Sequence, residues 1–340
     1  MPPSKQARTG KRRSGGLTLA AVVVGAPVIA AVKWSLYSAL MIDHHVALPS
    51  ALAAEQLTLA GGPAGTLNVY ADRSGAGRPL LLIHSVNAAA SAYEMRPIFE
   101  HFRGRRPVYA LDLPGYGFSD RVDAARTPEA FAGAVTETIE RAANEPADVI
   151  ALSLGGEFAA RAALMRPELV HTLTLISPTG FGAPGTGRAT QQAVEQAQTE
   201  SAYRLLANPL WAQALYDLIA TRVSIRFFLK QSFVGPVPEE LIDYAYATSH
   251  QPGAKLTPLR FLGGLLFTRE ARRELYAGVT QPVLAIYDRD AFSGFETLAE
   301  FAAARANWRL AKVEPSLGLP HWEMMPRVAE ALEGFWAEVG

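Results

Sequence analysis

Short apolar runs alternating with longer segments of helical periodicity predict an α/β protein with a doubly wound, mostly parallel sheet. Two further features complete the expected architecture. The stretch 180–277 reads as helix with few strand runs, which predicts a helical cap inserted between two core strands. The chain also opens basic and then apolar, which predicts an N-terminal hydrophobic anchor helix.

The first segment, 1–53, divides into three parts. Lys5, Arg8, Lys11, Arg12 and Arg13 come with no acidic residue among them. A mainly apolar run over about 17–42, interrupted by Lys33, then reads as a transmembrane or signal-anchor segment, with Trp34 and Tyr37 placed as interfacial anchors. Residues 43–53 read as a linker. The basic flank predicts a cytoplasmic N-terminus, with the rest of the chain membrane-anchored and outside the cytoplasm. A cleaved signal, giving a secreted or periplasmic protein, is the alternative.

The core is expected over 54–179 and 278–340. Residues 56–60 and 66–71 flank Gly61, Gly62 and Pro63 and read as a hairpin. Strands are then expected at 79–84, 107–111, 149–152, 169–176, 282–287 and about 309–313. Continuous apolar runs of this length suit strands buried on both faces. Helical patterns cover 92–102, 128–143, 155–165, 295–304 and 322–338. Thr127-Pro128 supplies a hydroxyl N-cap with proline in the first turn.

Composition narrows the function. Hydrophobic residues reach 49% against 19% charged, enough to bury a core and too many for a disordered chain. A formal net charge of +0 argues against a nucleic-acid partner, which would favour a basic excess. With no cysteine, thiolate catalysis, disulfides and cysteine-ligated metals are excluded.

The chemistry-bearing segment is Val149-Ile-Ala-Leu-Ser153-Leu-Gly155-Gly156-Glu-Phe-Ala-Ala. An apolar strand runs into a serine, two glycines and a helix. A serine at that junction sits on a sharp turn that presents Oγ at the edge of the sheet. The Leu154 N–H and the positive end of the following helix point the same way. The pattern resembles the nucleophile elbow, G-x-S-x-G, of the α/β-hydrolase superfamily, with Ala151 in place of the first glycine. Leu111-Asp-Leu-Pro-Gly115-Tyr-Gly117-Phe-Ser-Asp120 also looks like that family, where it is structural.

The resemblance covers about 56–338 and points to the serine-nucleophile branch with a helical cap. It implies a serine, acid, histidine order along the chain. Of the seven histidines only His321 follows the last strand region, in the loop Gly318-Leu-Pro-His321-Trp-Glu. Relatives often read G-H-x-P-H-x-E there, with the first histidine catalytic, and this chain has Gly318 at that place. The acid is implied after strand 282–287, in Tyr287-Asp288-Arg289-Asp290. Counting from the strand end favours Asp290, with Asp288 as the alternative. The loop His84-Ser85-Val86-Asn87 is implied to supply the second oxyanion donor, the Val86 N–H, beside that of Leu154. Ser85 and Asn87 are candidate substrate contacts.

What the resemblance implies is a serine hydrolase with a Ser153–His321–Asp290 triad and no metal or organic cofactor. It would cleave a small or apolar ester-type substrate (a carboxylic ester, thioester or lactone) through an acyl-enzyme. Serine at the elbow, rather than the carboxylate of relatives that open epoxides or displace halide, points to acyl chemistry. Two alternatives stand beside it: a C–C bond hydrolase of a vinylogous diketone, and a non-catalytic, membrane-tethered binding protein on the same fold. The expected partners are a small acyl substrate and, through the N-terminal segment, a membrane.

Overall fold

The computed structural model describes residues 16–121, 126–182 and 200–340, with side chains from residue 29 onward. It divides into two compact units, Met1–Ile42 and Asp43–Gly340. The basic residues before position 16 and the cap glycines Gly185 and Gly187 lie outside the described residues.

The first unit contributes α1 (Gly16–Met41). Among the described residues no helix is long and apolar enough to cross a membrane, and this corrects the expected anchor over 17–42. Lys33 lies within α1 and interrupts its apolar run, whereas a bilayer core requires about 20 apolar residues in helical form. The localisation outside the cytoplasm and the membrane partner rested on that anchor and are withdrawn with it.

The second unit is an eight-stranded sheet in the order β1-β2-β4-β3-β5-β6-β7-β8. The strands are β1 (Glu55–Gly62), β2 (Gly65–Asp72), β3 (Leu80–Ile83), β4 (Val108–Asp112), β5 (Ala147–Leu152), β6 (Val170–Ile176), β7 (Val283–Tyr287) and β8 (Trp308–Lys312). The first two form the expected hairpin, antiparallel to each other and to β4, and every later pairing is parallel. The continuous apolar runs mark β3, β4 and β5, whose residues are all buried. The edge strand β8 carries charge instead, its exposed Arg309 pairing with Glu338.

Successive side chains of a strand leave on opposite faces, and two cores follow from that. Leu81, Ile83, Val149 and Ala151 join Phe131, Val135 and Phe158 on one face, from α3 (Pro128–Thr138) and α4 (Gly155–Met165). Leu80, Leu82, Ile150 and Leu152 join Ile98, Phe99, Val328 and Leu332 on the other, from α2 (Arg96–Phe102) and, at the end of the chain, a helix over Met325–Val339. Thr127 caps α3 as expected, its hydroxyl accepting the Ala130 N–H at 3.2 Å.

Between β6 and β7 every described regular element is helical: α5 (Glu200–Leu206), α6 (Ala212–Ile219), α7 (Arg222–Lys230), α8 (Glu239–Ser249), α9 (Leu256–Leu262) and α10 (Ala271–Glu274), with a single 3-10 turn at Tyr276–Gly278. The rest of the core adds α11 (Leu298–Ala303), α12 (Pro320–Glu323) and α13, the Met325–Val339 helix. Register sets the site: Ile83 pairs with Ala151, Leu152 with Ile176, and Ile176 with Ile286. His84, Ser153 and Ser177 therefore leave the sheet along one carboxyl edge, where open α/β sheets bind ligands.

Candidate active site

Ser153 follows the last residue of β5 in a left-handed conformation, φ +52°. Such a backbone costs a serine about 1–3 kcal/mol and persists where its surroundings hold it. Here its N–H donates to the Ile176 carbonyl at 2.8 Å and its own carbonyl accepts the Gly156 N–H at 3.0 Å. The residues on either side are buried while Ser153 is only half-buried. Gly155 makes the turn possible, because a Cβ there would lie 2.5 Å from the His84 carbonyl oxygen. The loop after β3 and the start of α4 thus touch, main chain to main chain. Among the described residues neither the Leu154 nor the Val86 N–H enters a backbone or side-chain hydrogen bond.

The loop after β3 is fastened from several sides. His84 is fully buried; its Nε2 accepts the Leu113 N–H at 3.0 Å, so Nδ1 carries the proton and donates to the Ser85 carbonyl at 2.6 Å. Burial pulls its pKa below the ordinary range and keeps the ring neutral. The Glu94 carboxylate sits under the loop, accepting the Ser85 N–H at 2.9 Å and the Asn87 amide at 2.8 Å. Asn87 also donates to Ser85 Oγ at 2.9 Å and accepts the Ala89 N–H at 2.7 Å. The two candidate substrate contacts, Ser85 and Asn87, are thus bonded to each other and to Glu94. From α6, the Tyr216 hydroxyl donates to the Ala88 carbonyl at 2.8 Å.

Both acids after β7 reach the loop that carries Gly318. Asp288 accepts the Ser316 N–H at 2.9 Å. Asp290 is buried, accepts the Phe292 N–H at 2.8 Å, and lies against Gly318: a Cβ on that glycine would stand 3.3 Å from the Asp290 carboxyl carbon. Glu323 takes the Leu317 N–H at 3.0 Å with one oxygen and the Val234 and Gly235 N–H groups at 2.7 and 2.9 Å with the other.

His321 lies elsewhere. Its ring is fully buried and its Nε2 donates to the Glu94 carbonyl at 2.8 Å, which also accepts the Trp322 indole N–H at 2.7 Å. Nδ1 is buried without a hydrogen-bond partner. Desolvation depresses the ring's pKa to about 4. His321 therefore hydrogen-bonds neither Ser153 nor Asp290, whereas Asp290 and Gly318 come together.

Two side chains matter here that sequence reasoning passed over. Glu94 wires the β3 loop through its carboxylate and His321 through its carbonyl, and no local pattern marks it. Glu157, in the first turn of α4, is fully buried; it accepts the Thr179 hydroxyl at 2.5 Å and the Thr268 N–H at 2.8 Å. Burial raises its pKa to about 7 against these hydrogen bonds. Its signal was an acidic residue set between Gly156 and the apolar run Phe158-Ala159-Ala160 at the start of α4. Among the described residues no three His, Asp or Glu side chains are grouped as a metal site.

Known proteins share this architecture. A serine hydrolase involved in carbazole degradation superposes with a TM-score of 0.63 at 17% identity, over 83% of this chain and 99% of that one. A thermophilic esterase from Thermogutta terrifontis gives 0.63 at 17%, over 84% and 99%; at this identity the likeness is one of fold. In sequence, a 2-hydroxymuconate semialdehyde hydrolase from Pseudomonas sp. (strain CF600) is 31% identical over 115 residues, 33% of this chain and 41% of that protein. A pimeloyl-[acyl-carrier protein] methyl ester esterase from Vibrio cholerae is 33% identical over 138 residues, 40% of this chain and 51% of that protein. The matches thus span about half or less of these curated relatives. The family model described as "Alpha/beta hydrolase family" matches residues 80–331, most of the chain, and the protein therefore belongs to the alpha/beta hydrolase family.

Proposed function

We propose that this hydrolase cleaves an ester-type acyl substrate with Ser153 as the nucleophile. The observation that carries the reading is the strained φ of +52° at Ser153, beside two unengaged N–H groups. In this reading Ser153 Oγ adds to the substrate carbonyl carbon, and the Leu154 and Val86 N–H groups receive the charge that develops on the carbonyl oxygen. Asp290 is the acid of the site, and Asp288 holds the Ser316 loop. His321 takes part only if its ring leaves the Glu94 carbonyl. Similarity to a methyl ester esterase supports the ester class.

A second reading, hydrolysis of a C–C bond in a vinylogous diketone, draws on the similarity to 2-hydroxymuconate semialdehyde hydrolase. The same serine and oxyanion donors serve both, and a panel of esters and dienoic ketones separates them.

The test is release of p-nitrophenol from p-nitrophenyl butyrate, with intact-mass analysis of the quenched protein. Wild type should hydrolyse the ester above the buffer rate and carry a single butyryl adduct, and Ser153→Ala should do neither. A rate unchanged in Ser153→Ala would sink the reading.

A further inference from the structure

We propose that His44, which precedes the family-matched region, is a positioning residue of this site: through Asp217 and Tyr216 of α6 it steadies the loop that carries the Val86 N–H. This rests on that loop serving Ser153 with an oxyanion donor.

Tyr216 and Asp217 are consecutive on α6, and both are buried. Neighbours on a helix leave its axis about 100° apart, so the two side chains reach different partners. The Tyr216 hydroxyl donates to the Ala88 carbonyl at 2.8 Å. The Tyr116 hydroxyl takes the carbonyl one residue earlier, that of Asn87, also at 2.8 Å. On the near side, the Ser85 N–H is held by Glu94. Val86 thus lies between a fastening at Ser85 and two more at Asn87 and Ala88. Of these, Tyr216 alone comes from the helices between β6 and β7.

Asp217 turns to the segment before β1. His44 Nε2 donates to its carboxylate, 3.0 Å from each oxygen. The Gln213 amide donates to the same carboxylate at 2.8 Å, and Lys255 holds Gln213 in turn at 2.7 Å. The segment is moored on both sides of this bond. The His44 ring stacks with His250, centroids 6.3 Å apart, and the Val46 carbonyl accepts the Gln251 amide at 2.7 Å. Farther along, the Ala51 N–H donates to the Tyr70 hydroxyl on β2 at 3.3 Å, and Ala51 and Leu52 are buried in the core.

Polar bonds matter to α6 because little else fixes it. At eight residues it is too short to be stable alone. Its buried side chains pack in two small clusters, Ala212 with Tyr203 and Leu259, and Tyr216 with Ala220 and Ala254, apart from the two large cores. Without the His44 donor the helix is free to shift, and the Tyr216 hydroxyl carries that shift to Ala88. The Val86 N–H then meets the developing oxyanion out of line. Such a change lowers kcat and leaves ground-state binding of the substrate nearly as it was.

The experiment measures p-nitrophenyl butyrate hydrolysis by the full chain as wild type, His44→Ala, His44→Gln, Tyr216→Phe and the double variant His44→Ala/Tyr216→Phe, with circular dichroism to confirm folding. His44→Ala and Tyr216→Phe should each lower kcat about tenfold, the scale of one hydrogen bond, with KM within about twofold of wild type. The double variant should be no slower than the slower single, because both break one link. His44→Gln keeps an amide N–H for Asp217 and should recover most of the rate. Effects that multiply in the double variant overturn the proposal, as does a folded His44→Ala with wild-type kcat or a loss confined to KM. Amide hydrogen exchange over residues 84–90 reads the same link without substrate. It should quicken in His44→Ala and in Tyr216→Phe, and unchanged exchange in either overturns the proposal whether or not the ester is turned over. Ser153→Ala, run alongside, tests the nucleophile separately: full turnover in that variant overturns the Ser153 reading, while quickened exchange in His44→Ala keeps the link to the loop. If His44→Ala does not fold, His44→Phe, which keeps a ring and lacks the donor, takes its place in every comparison.

Discussion

Gly155 lies directly beneath the carbonyl oxygen of His84, so close that a Cβ on the glycine would stand 2.5 Å from it. That contact joins the two segments carrying the proposed oxyanion donors, Val86 on one and Leu154 on the other. Gly155→Ala must push them apart. Overpacking of this kind costs typically about 1–3 kcal/mol, and loss of one oxyanion donor costs about 2.7–4 kcal/mol of barrier. The expected outcome is a lower urea midpoint together with a fall in kcat of about a hundredfold or more. A variant that keeps its kcat would separate the turn from the chemistry.

The Glu94 carboxylate holds the same loop from below, through the Ser85 N–H and the Asn87 amide. Glu94→Ala leaves the buried Ser85 N–H without an acceptor, which costs about 1–3 kcal/mol, and leaves the Asn87 amide with Ser85 Oγ alone. The loop bearing Val86 loses its footing. Ester turnover should fall chiefly in kcat, with KM little changed, because Glu94 touches the loop and not the substrate. Steady-state kinetics on p-nitrophenyl butyrate checks this; a pure KM effect would place Glu94 in substrate binding.

The sharp turn at Ser153 was legible because its determinants are local: an apolar strand, Ser153 and the Gly155-Gly156 pair lie within a few residues of one another. The position of Asp290 just beyond the strand was legible by counting from the strand end, since β7 closes at Tyr287. What escaped was long-range. The partner of His321 is a main-chain carbonyl 227 residues away, and a carbonyl carries no sequence signal. The ring is drawn to the side of the loop next to β3, while the glycine three positions earlier takes the place beside Asp290. The apolar N-terminal run failed for a different reason: hydropathy along a sequence registers composition, and among the described residues no helix is both long and apolar enough to cross a membrane.

Glu157 makes stability depend on pH in an unusual direction for a carboxylate. Its pKa rises from an ordinary 4.5 to about 7 in the fold because the charged form is desolvated. The folded state therefore holds the proton more tightly than the unfolded state. The associated stability is complete below about pH 4.5 and is lost as pH climbs through about 7. Glu157→Gln stays neutral throughout. The difference in denaturation midpoint, wild type minus Glu157→Gln, should decline as pH rises from about 4.5 to about 7 and level off above that. A flat difference would mean that Glu157 titrates normally.

His321 acts with the opposite sign. Burial lowers its pKa from 6.5 in the open chain to about 4. Here the unfolded state binds the proton more readily. Stability from the neutral ring is complete above the unfolded value and drains away as pH falls through about 4. Wild type should accordingly soften between pH 6.5 and 4. His321→Gln lacks the titration and should show a shallower acid slope, although its midpoint at pH 7.5 (a condition about one unit above the ordinary histidine pKa) drops through lost packing and the broken bond to the Glu94 carbonyl. Urea titrations of both proteins across that interval measure the slope directly. Parallel slopes would show that the ring is solvated or paired in solution, and would reopen its claim to the proton of Ser153.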